Sequence, residues 1–421
     1  MRRAIPRAWI DIEAGEMTAV LAQLLGRRGA PEEKAVSDFE AAFARTIGTK
    51  EAVSFPSARA GIYFGLRALN LRKNDEVILP AYTFWIDAAM VVMAGLRPVF
   101  VDVDRRSANI DPGRIEKCIT DKTRVIFLSH LNGLPAEMGA IRAIAQRHGL
   151  RLMEDCARAC GVRLEGKPLG SSDIGIFSFG YGKNLYLFGG GMVTSSDRSF
   201  IERLRDEKKA FGRMSGAQLL GKTIEGCLLR ILNTPPFFSV VLFPLIRRYK
   251  VKGDRRLALF FEQKKASYDR PPASFYRSLS RIQAGQGIRF LKRIDGHNQK
   301  RHENAKVLRE ALTGIPGLHT FLSSPAAGAE MLYFALHSGR KKELQRFLLS
   351  QGIDVEDESA ADLTQMDEFK KYAGGQSYPH AGALDGKVIL LPCHPHLRPD
   401  EIRYMIEKVR DGCLKFSPCA G

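Results

Sequence analysis

The sequence predicts an α/β protein. A large three-layer domain with a mostly parallel sheet between helices is expected over residues 1–300, and a smaller C-terminal α/β domain over 301–421. Two observations carry this reading. Short apolar, β-branched runs alternate with amphipathic ones along the chain, which is the pattern of parallel strands joined by crossover helices. The chain has 421 residues, 45% hydrophobic and 26% charged, an ordinary globular composition at a length that allows two domains.

The elements follow in order. "DEVILP" reads as a strand ending at Pro80, "WIDAAMVVMAG" as a helix, and "RPVFVDVD" and "RVIFLSHL" as two further strands. "GAIRAIAQRHG" is a helix closed by Gly149, and "LRLMEDC" is a strand that brings Asp155 to its carboxyl end, where sheets of this kind bind ligands. "DIGIFSF" and "GMVTSS" are strands bracketing a stretch with Lys183 at its centre. Past residue 300, "EMLYFALHSG", "KKELQRFLLSQG", "IDVED", "KVILLP" and "PDEIRYMIEKVR" repeat the alternation on a smaller scale.

Lys183 lies among aromatics and glycines with no acidic residue between Asp173 and Asp197 to pair with it. A lysine between buried strands loses hydration, its pKa falls, and its amine becomes able to condense with a carbonyl.

The bulk properties set limits. The first residues, "MRRAIPRAWIDIEAGE", lack the apolar core of a secretory signal, and no apolar run reaches the length of about 18 residues that crosses a bilayer, so a cytoplasmic location is expected. The seven cysteines are odd in number and scattered, which argues for reduced thiols and against a disulfide framework or a paired-cysteine zinc site. A net charge of +18 attracts polyanions, from anionic lipid to a phosphorylated small substrate, but no nucleic-acid motif is present.

Two motifs are set aside. "GVRLEGKP" has phosphate-loop spacing, yet Pro168 stands where a magnesium-binding hydroxyl is required, so a hairpin turn is expected. "CHPHLRP" offers His394 and His396 with no third ligand nearby in sequence. It is read as the lead-in to the last helix, and no metal site is expected.

"SFPSARAGIYFGLRAL", "DEVILPAYTFWIDA", "RPVFVDVD", "NIDP", "LSHLNGLPAEM", "MEDCARACG", "GSSDIGIFSFGYGKN" and "GGGMVT" together resemble, in order and spacing, the DegT/DnrJ/StrS family of sugar aminotransferases dependent on pyridoxal 5'-phosphate (PLP). The resemblance implies a fold type I PLP-dependent transferase, usually a homodimer. It also implies transfer of an amino group from glutamate or glutamine to a keto sugar, often nucleotide-linked, for surface polysaccharide or lipopolysaccharide precursors. Lys183 matches the family's Schiff-base lysine, and Asp155 matches the aspartate that holds the pyridine proton, its alternative being a helix N-cap. Ser57, Ala58 and Arg59 stand at the phosphate-binding helix start, where the family commonly has Ser-Gly-Thr; Arg59 either adds a cation or only its amide. Ser178 matches a phosphate-holding serine and Phe84 the aromatic that stacks on the cofactor, with strand or core packing as the alternative for each. Arg158 stands where the family usually has a glutamine near the ring hydroxyl, so the resemblance implies a cofactor contact there, and Cys160 replaces a common histidine. The family's dehydratases carry histidine in place of the lysine, which Lys183 argues against.

Departures motivate other readings. The family's Asn-x-Arg signature is replaced by Tyr276, Arg277 and Ser278, which with Arg59, Arg158 and Cys160 leaves a non-catalytic sensory or scaffold protein as an alternative. Residues 213–272 look foreign to the family. There an apolar run from Phe237 to Ile246 precedes Arg247, Arg248, Lys250, Lys252, Arg255 and Arg256. The segment 226–256 could lie on an anionic membrane at its inner face, with a lipid-linked substrate to match, or form an oligomer contact or substrate lid. Pro235, Pro236 and Pro244 are expected to spoil a continuous amphipathic helix there.

Overall fold

Strands β1 (Glu51–Phe55), β2 (Glu76–Pro80), β3 (Tyr82–Phe84), β4 (Arg97–Val101), β5 (Thr123–Ser129), β6 (Arg151–Asp155), β7 (Arg163–Leu164), β8 (Lys167–Pro168), β9 (Ile174–Ser178) and β10 (Gly191–Ser195) come from the first half of the chain. Seven of them form one sheet in the order β1-β10-β9-β6-β5-β2-β4. The computed structural model describes residues 3–13, 15–18, 20, 31–257, 270–322 and 332–416; the expectations that fall on 258–269 of the insert, on Glu330, Met331 and on Cys419 lie outside these residues.

From β9 to β4 the pairing is parallel, and only β10 runs against its neighbours. Parallel strands covered on both faces carry apolar residues at successive positions rather than alternately. In β2, Val77 and Leu79 join the cluster under helices α2 (Ala58–Ala68), α3 (Trp85–Met93) and α5 (Arg198–Lys208). Ile78 joins the opposite cluster under α1 (Glu32–Ile47) and α4 (Met138–Arg147). The three expected layers are therefore present. Between β7 and β8, Glu165 and Gly166 have φ of 52° and 76°, the two left-handed residues of a tight hairpin turn, as expected for "GVRLEGKP".

After α8 (Arg281–Leu291), which packs on α1, a second sheet, antiparallel in the order β11 (Leu318–Thr320), β12 (Tyr333–Ser338), β15 (Val388–Pro392), β13 (Glu356–Asp357), packs with α9 (Ile294–Leu312), α10 (Lys341–Ser350) and α11 (Pro399–Phe416). One apolar core continues from the first sheet through Leu336, Leu344 and Val409. β14 (Ala360–Asp362) leaves this part of the chain and pairs with β3 in a separate two-stranded sheet, Ala360 opposite Phe84, bringing residues 358–362 to the segment that follows β2.

The prolines of the insert do less than expected. Helix α6 (Gly216–Leu232) ends at Asn233, and after a 78° bend the chain stays helical from Pro235 to Lys252. Pro235 and Pro236 open this second arm, where their missing N–H groups have no helical partner to lose. Pro244 follows a π-helical turn, Phe238–Leu242, and sits at the start of α7 (Phe243–Lys252). The wider turn relieves the clash between a proline ring and the preceding carbonyls.

Candidate active site

The segment 179–190 leaves β9 at the end where β6 delivers Asp155. It folds back on itself through Phe179 N–H to Gly190 O, 2.9 Å, and Leu187 N–H to Phe179 O, 3.1 Å. Gly189 and Gly190 have φ of 97° and 116°, a conformation closed to side chains, so the chain can return directly into β10. Lys183 lies in the outbound half. Part of its chain is accessible, but its amine is enclosed, and burial followed by the Arg158 charge lowers its pKa to about 8. The charges of Asp155, Glu358 and Asp87 oppose that shift by favouring the ammonium form.

Two carboxylates stand beneath it. Asp155 Oδ1 accepts from Ala157 N–H at 2.8 Å. No helix follows it, so the N-cap alternative falls away. Burial raises its pKa, against the pull of that amide and of Lys183. Asp87, in the first turn of α3, is buried, and its Oδ2 accepts from Ser129 Oγ at 2.9 Å and Thr83 Oγ1 at 3.1 Å. Its Oδ1 is enclosed without a hydrogen-bond partner among the described residues. Burial, and then the Asp155 charge, push its pKa well above the carboxylate range. Behind them His130 donates Nε2–H to Glu154 at 3.0 Å while its Nδ1 accepts from Ala136 N–H, a closed network that fixes the ends of β5 and β6.

The start of α2 closes the site. Ser57 is its N-cap, accepting from Ala60 N–H at 3.2 Å, so Ala58 and Arg59 open a helix whose first amides have no partners within it. Ser57 bridges to Gly190, and a Cβ placed on Gly191 would lie 2.5 Å from Ala58 N. Ser178 is the register partner of Gly191. The helix start, Ser178 and the glycines that follow Lys183 thus meet in one cradle whose closeness only glycine permits. Phe84, half-buried, precedes α3 at the edge of β3.

This chain, with a lysine of lowered pKa over an aspartate beside a helix start and a glycine return, matches over residues 11–231 and 245–410 the model of the DegT/DnrJ/EryC1/StrS aminotransferase family. The chain belongs to this family. It is an aminotransferase of fold type I, in a family that uses PLP. It is 30% identical over 377 residues, 89% of this chain and 86% of the relative, to a dTDP-3-amino-3,4,6-trideoxy-alpha-D-glucose transaminase of Streptomyces venezuelae. It is 28% identical to the spore coat polysaccharide biosynthesis protein SpsC of Bacillus subtilis, over 89% of each. Among solved structures it superposes on S. venezuelae DesV, captured with a ketimine intermediate, at a TM-score of 0.73 with 27% identity over 97% of this chain and 99% of that one. Helicobacter pylori PseC, at 20% identity and a TM-score of 0.76 over 98% and 100%, shares the fold.

The family match is interrupted within the insert. It runs through 213–231 and resumes at 245, so residues 232–244 lie outside it. The departures from the family acquire structural roles. Arg158 donates to Asn132 Oδ1 at 2.5 Å, Glu358 Oε1 at 2.8 Å and Ser359 Oγ at 2.6 Å, tying β6 to the β14 segment. Cys160 is buried, and burial pushes its thiol up to about 12, so it is not a thiolate. At the missing Asn-x-Arg, Arg277 donates to Arg213 O at 3.1 Å, and Tyr276 packs on Phe64 and Phe211; these residues clamp the base of the insert.

"CHPHLRP" leads into α11 as expected, but a third group does lie near: His297 and His396 approach Asp11 at 3.2 and 3.5 Å. Chain ends far apart in sequence bring them together, which local spacing cannot show. Arg293 reaches the same carboxylate at 3.5 Å, and Trp9 stacks on His396 at 4.7 Å, so the cluster reads as an ion-pair hub. Sequence reasoning also missed Asp87, although it is the one charged residue in an apolar helix; Glu358 and Asn132 carried no local signal.

Proposed function

We propose that this aminotransferase converts a keto sugar, nucleotide-linked, to an amino sugar with glutamate or glutamine as donor, for surface polysaccharide or lipopolysaccharide, and that it does so as a cytoplasmic homodimer, peripheral at the inner membrane face. The sugar class is supported by the transaminase and polysaccharide relatives. The single observation that carries the chemistry is Lys183, an enclosed amine at about 8 facing Asp155.

The residues present fit PLP. When bound, that cofactor supplies an electron sink for the pair released at the substrate carbon. Lys183 Nζ, neutral for part of the time at pH 7 to 8, would be the amine that holds the cofactor, and once freed would be the base that moves a proton at the substrate carbon. Asp155 would hold a proton on the pyridine nitrogen, a role that suits a carboxylate kept in place by the Ala157 amide. The amides of Ala58 and Arg59 with the hydroxyls of Ser57 and Ser178 line the anion cradle, since the positive end of α2 favours a phosphate there. Phe84, half-buried before α3, would pack on the cofactor, and Arg158, held by Asn132, Glu358 and Ser359, would be fixed in place near Lys183.

The test is turnover. Holoenzyme with glutamate and, separately, UDP-, GDP- and dTDP-keto sugars should consume glutamate with one nucleotide series in preference to the others. Glutamate loss with simple keto acids but with no keto sugar would overturn the sugar assignment.

A further inference from the structure

The bent helical pair of the insert has two apolar faces, and only one is used. On the inner side, Leu219 and Leu229 pack against Ile10, Ile12, Tyr186 and Phe188, and buried Asn233 accepts from Ile10 N–H at 3.3 Å to fix the bend. In the second arm Phe238, Phe243 and Ile246 enter the main core, Ser239 accepts from Ala4 N–H at 3.0 Å, and Lys250 donates to Val355 O at 2.8 Å. Lys250 is therefore not part of a surface patch, and Phe238 is not available to a ligand.

The outer side is different. Leu220, Ile224, Leu228 and Ile231 recur at helical spacing along one face of α6, and Phe237, Val240, Val241 and Leu245 continue it past the bend; Ile224 is 57% exposed and Val240 77%. The most exposed of these, Val240, falls within 232–244, outside the family match. At the end of the second arm Arg247, Arg248, Lys252 and Arg256 are exposed, with Asp254 shared by Arg248 and Arg256. Glu225, the carboxylate of α6, interacts with Tyr186 on the inner side.

We propose that this outer face docks the enzyme on an anionic phospholipid surface. Charge complementarity selects that occupant: apolar side chains bordered by exposed cations match acyl chains bordered by anionic headgroups. The pair lies in the interface rather than across it. Among the described residues no single helix is long and apolar enough to cross a membrane, the two arms passing only together and bent by 78°. The 17 residues of α6 extend about 25 Å, short of a hydrocarbon core of about 30 Å. The dock is also joined to the active site. A Cβ on Gly226 would meet Phe188 at 2.0 Å, so α6 rests directly on the segment that returns from Lys183. Docking thus positions the site at the lipid surface, where lipid-linked glycans are built. It rests on the insert alone, so the sugar assignment and the docking fail separately.

The experiment is flotation of holoenzyme with phosphatidylcholine vesicles containing increasing phosphatidylglycerol, with circular dichroism and size-exclusion chromatography on every variant. Wild type should float increasingly with phosphatidylglycerol and release with salt, which screens beyond about 8 Å at physiological strength. Ile224→Ser with Leu228→Ser, Val240→Ser and Val241→Ser should stay out of the lipid fraction at low salt while keeping fold and assembly size. Arg247→Glu with Lys252→Glu should lower partitioning at least about tenfold. Wild type that stays out of the lipid at every composition overturns the proposal. So does a serine variant that floats like wild type, or one whose only change is loss of an assembly, which would mean that a second copy covers the face.

Discussion

Lys183 and Lys250 are both enclosed, and burial lowers each to about 8. They nonetheless belong to regions with different tasks. Lys250 spends its amine on Val355 O at 2.8 Å and Glu356 Oε1 at 3.1 Å, anchoring the insert to the strand β13. Lys183 faces Asp155 and Asp87 at the carboxyl ends of parallel strands, next to the start of α2. A lowered pKa is thus a consequence of enclosure in both, and only the partners convert one of them into a reactive amine. The same contrast separates Lys183 from the exposed cations at the end of α7, which keep their hydration and suit a surface role.

The largest difference between the two lysines should be kinetic. Lys183→Ala should lose at least about a thousandfold in turnover, whereas Lys250→Met should leave turnover unchanged and shift the unfolding free energy by about 1–2 kcal/mol, read by denaturant titration. Equal kinetic losses would erase the comparison.

Asp155→Asn comes next. It should keep the fold and bind PLP yet lose about a hundredfold to ten-thousandfold in rate, because a neutral amide cannot hold the pyridine proton. Near-normal turnover would mean that the wrong carboxylate has been assigned, with Asp87 the candidate in its place.

Smaller effects sharpen the electrostatics around Lys183. Its neutral fraction grows as pH rises through about 8, so the rate at which apoenzyme takes up PLP should rise with a midpoint there. The Arg158 charge lowers that midpoint, so Arg158→Gln should move it toward the ordinary lysine value, and should also cost about 3–5 kcal/mol of stability by stranding buried Glu358. Asp87 acts in the opposite direction, so Asp87→Asn should move the midpoint down. Shifts of the same sign in both variants would show that direct charge is not the cause.

The sheet was legible because parallel strands covered on both faces must be apolar throughout, as "EVILP" and "RVIFL" are, and because Ser57, Gly149 and Gly166 announce a helix start, a helix end and a turn. Lys183 was legible because no acidic residue between Asp173 and Asp197 pairs with it, and both it and Asp155 because "FGYGKN" and "MEDCARACG" match the family's motifs in order and spacing. The network around Arg158 was not, since Asn132, Glu358 and Ser359 reach it across the pairing of β14 with β3, far apart in the chain. The insert was half legible. Its composition showed an apolar run and cations, but which residues face inward depends on the bend at Asn233 and on the π turn, and these put Phe238 and Lys250 inside.

The central claim is that Lys183, and not another buried lysine, is the amine that captures PLP over Asp155. Purified wild type incubated with PLP, reduced with borohydride and mapped by peptide mass spectrometry should carry the label at Lys183 and show the visible absorption of a captured cofactor before reduction. Lys183→Ala should show neither, while Lys250→Met should show both. Label on Lys250, or a wild type that never takes up PLP, would contradict the account.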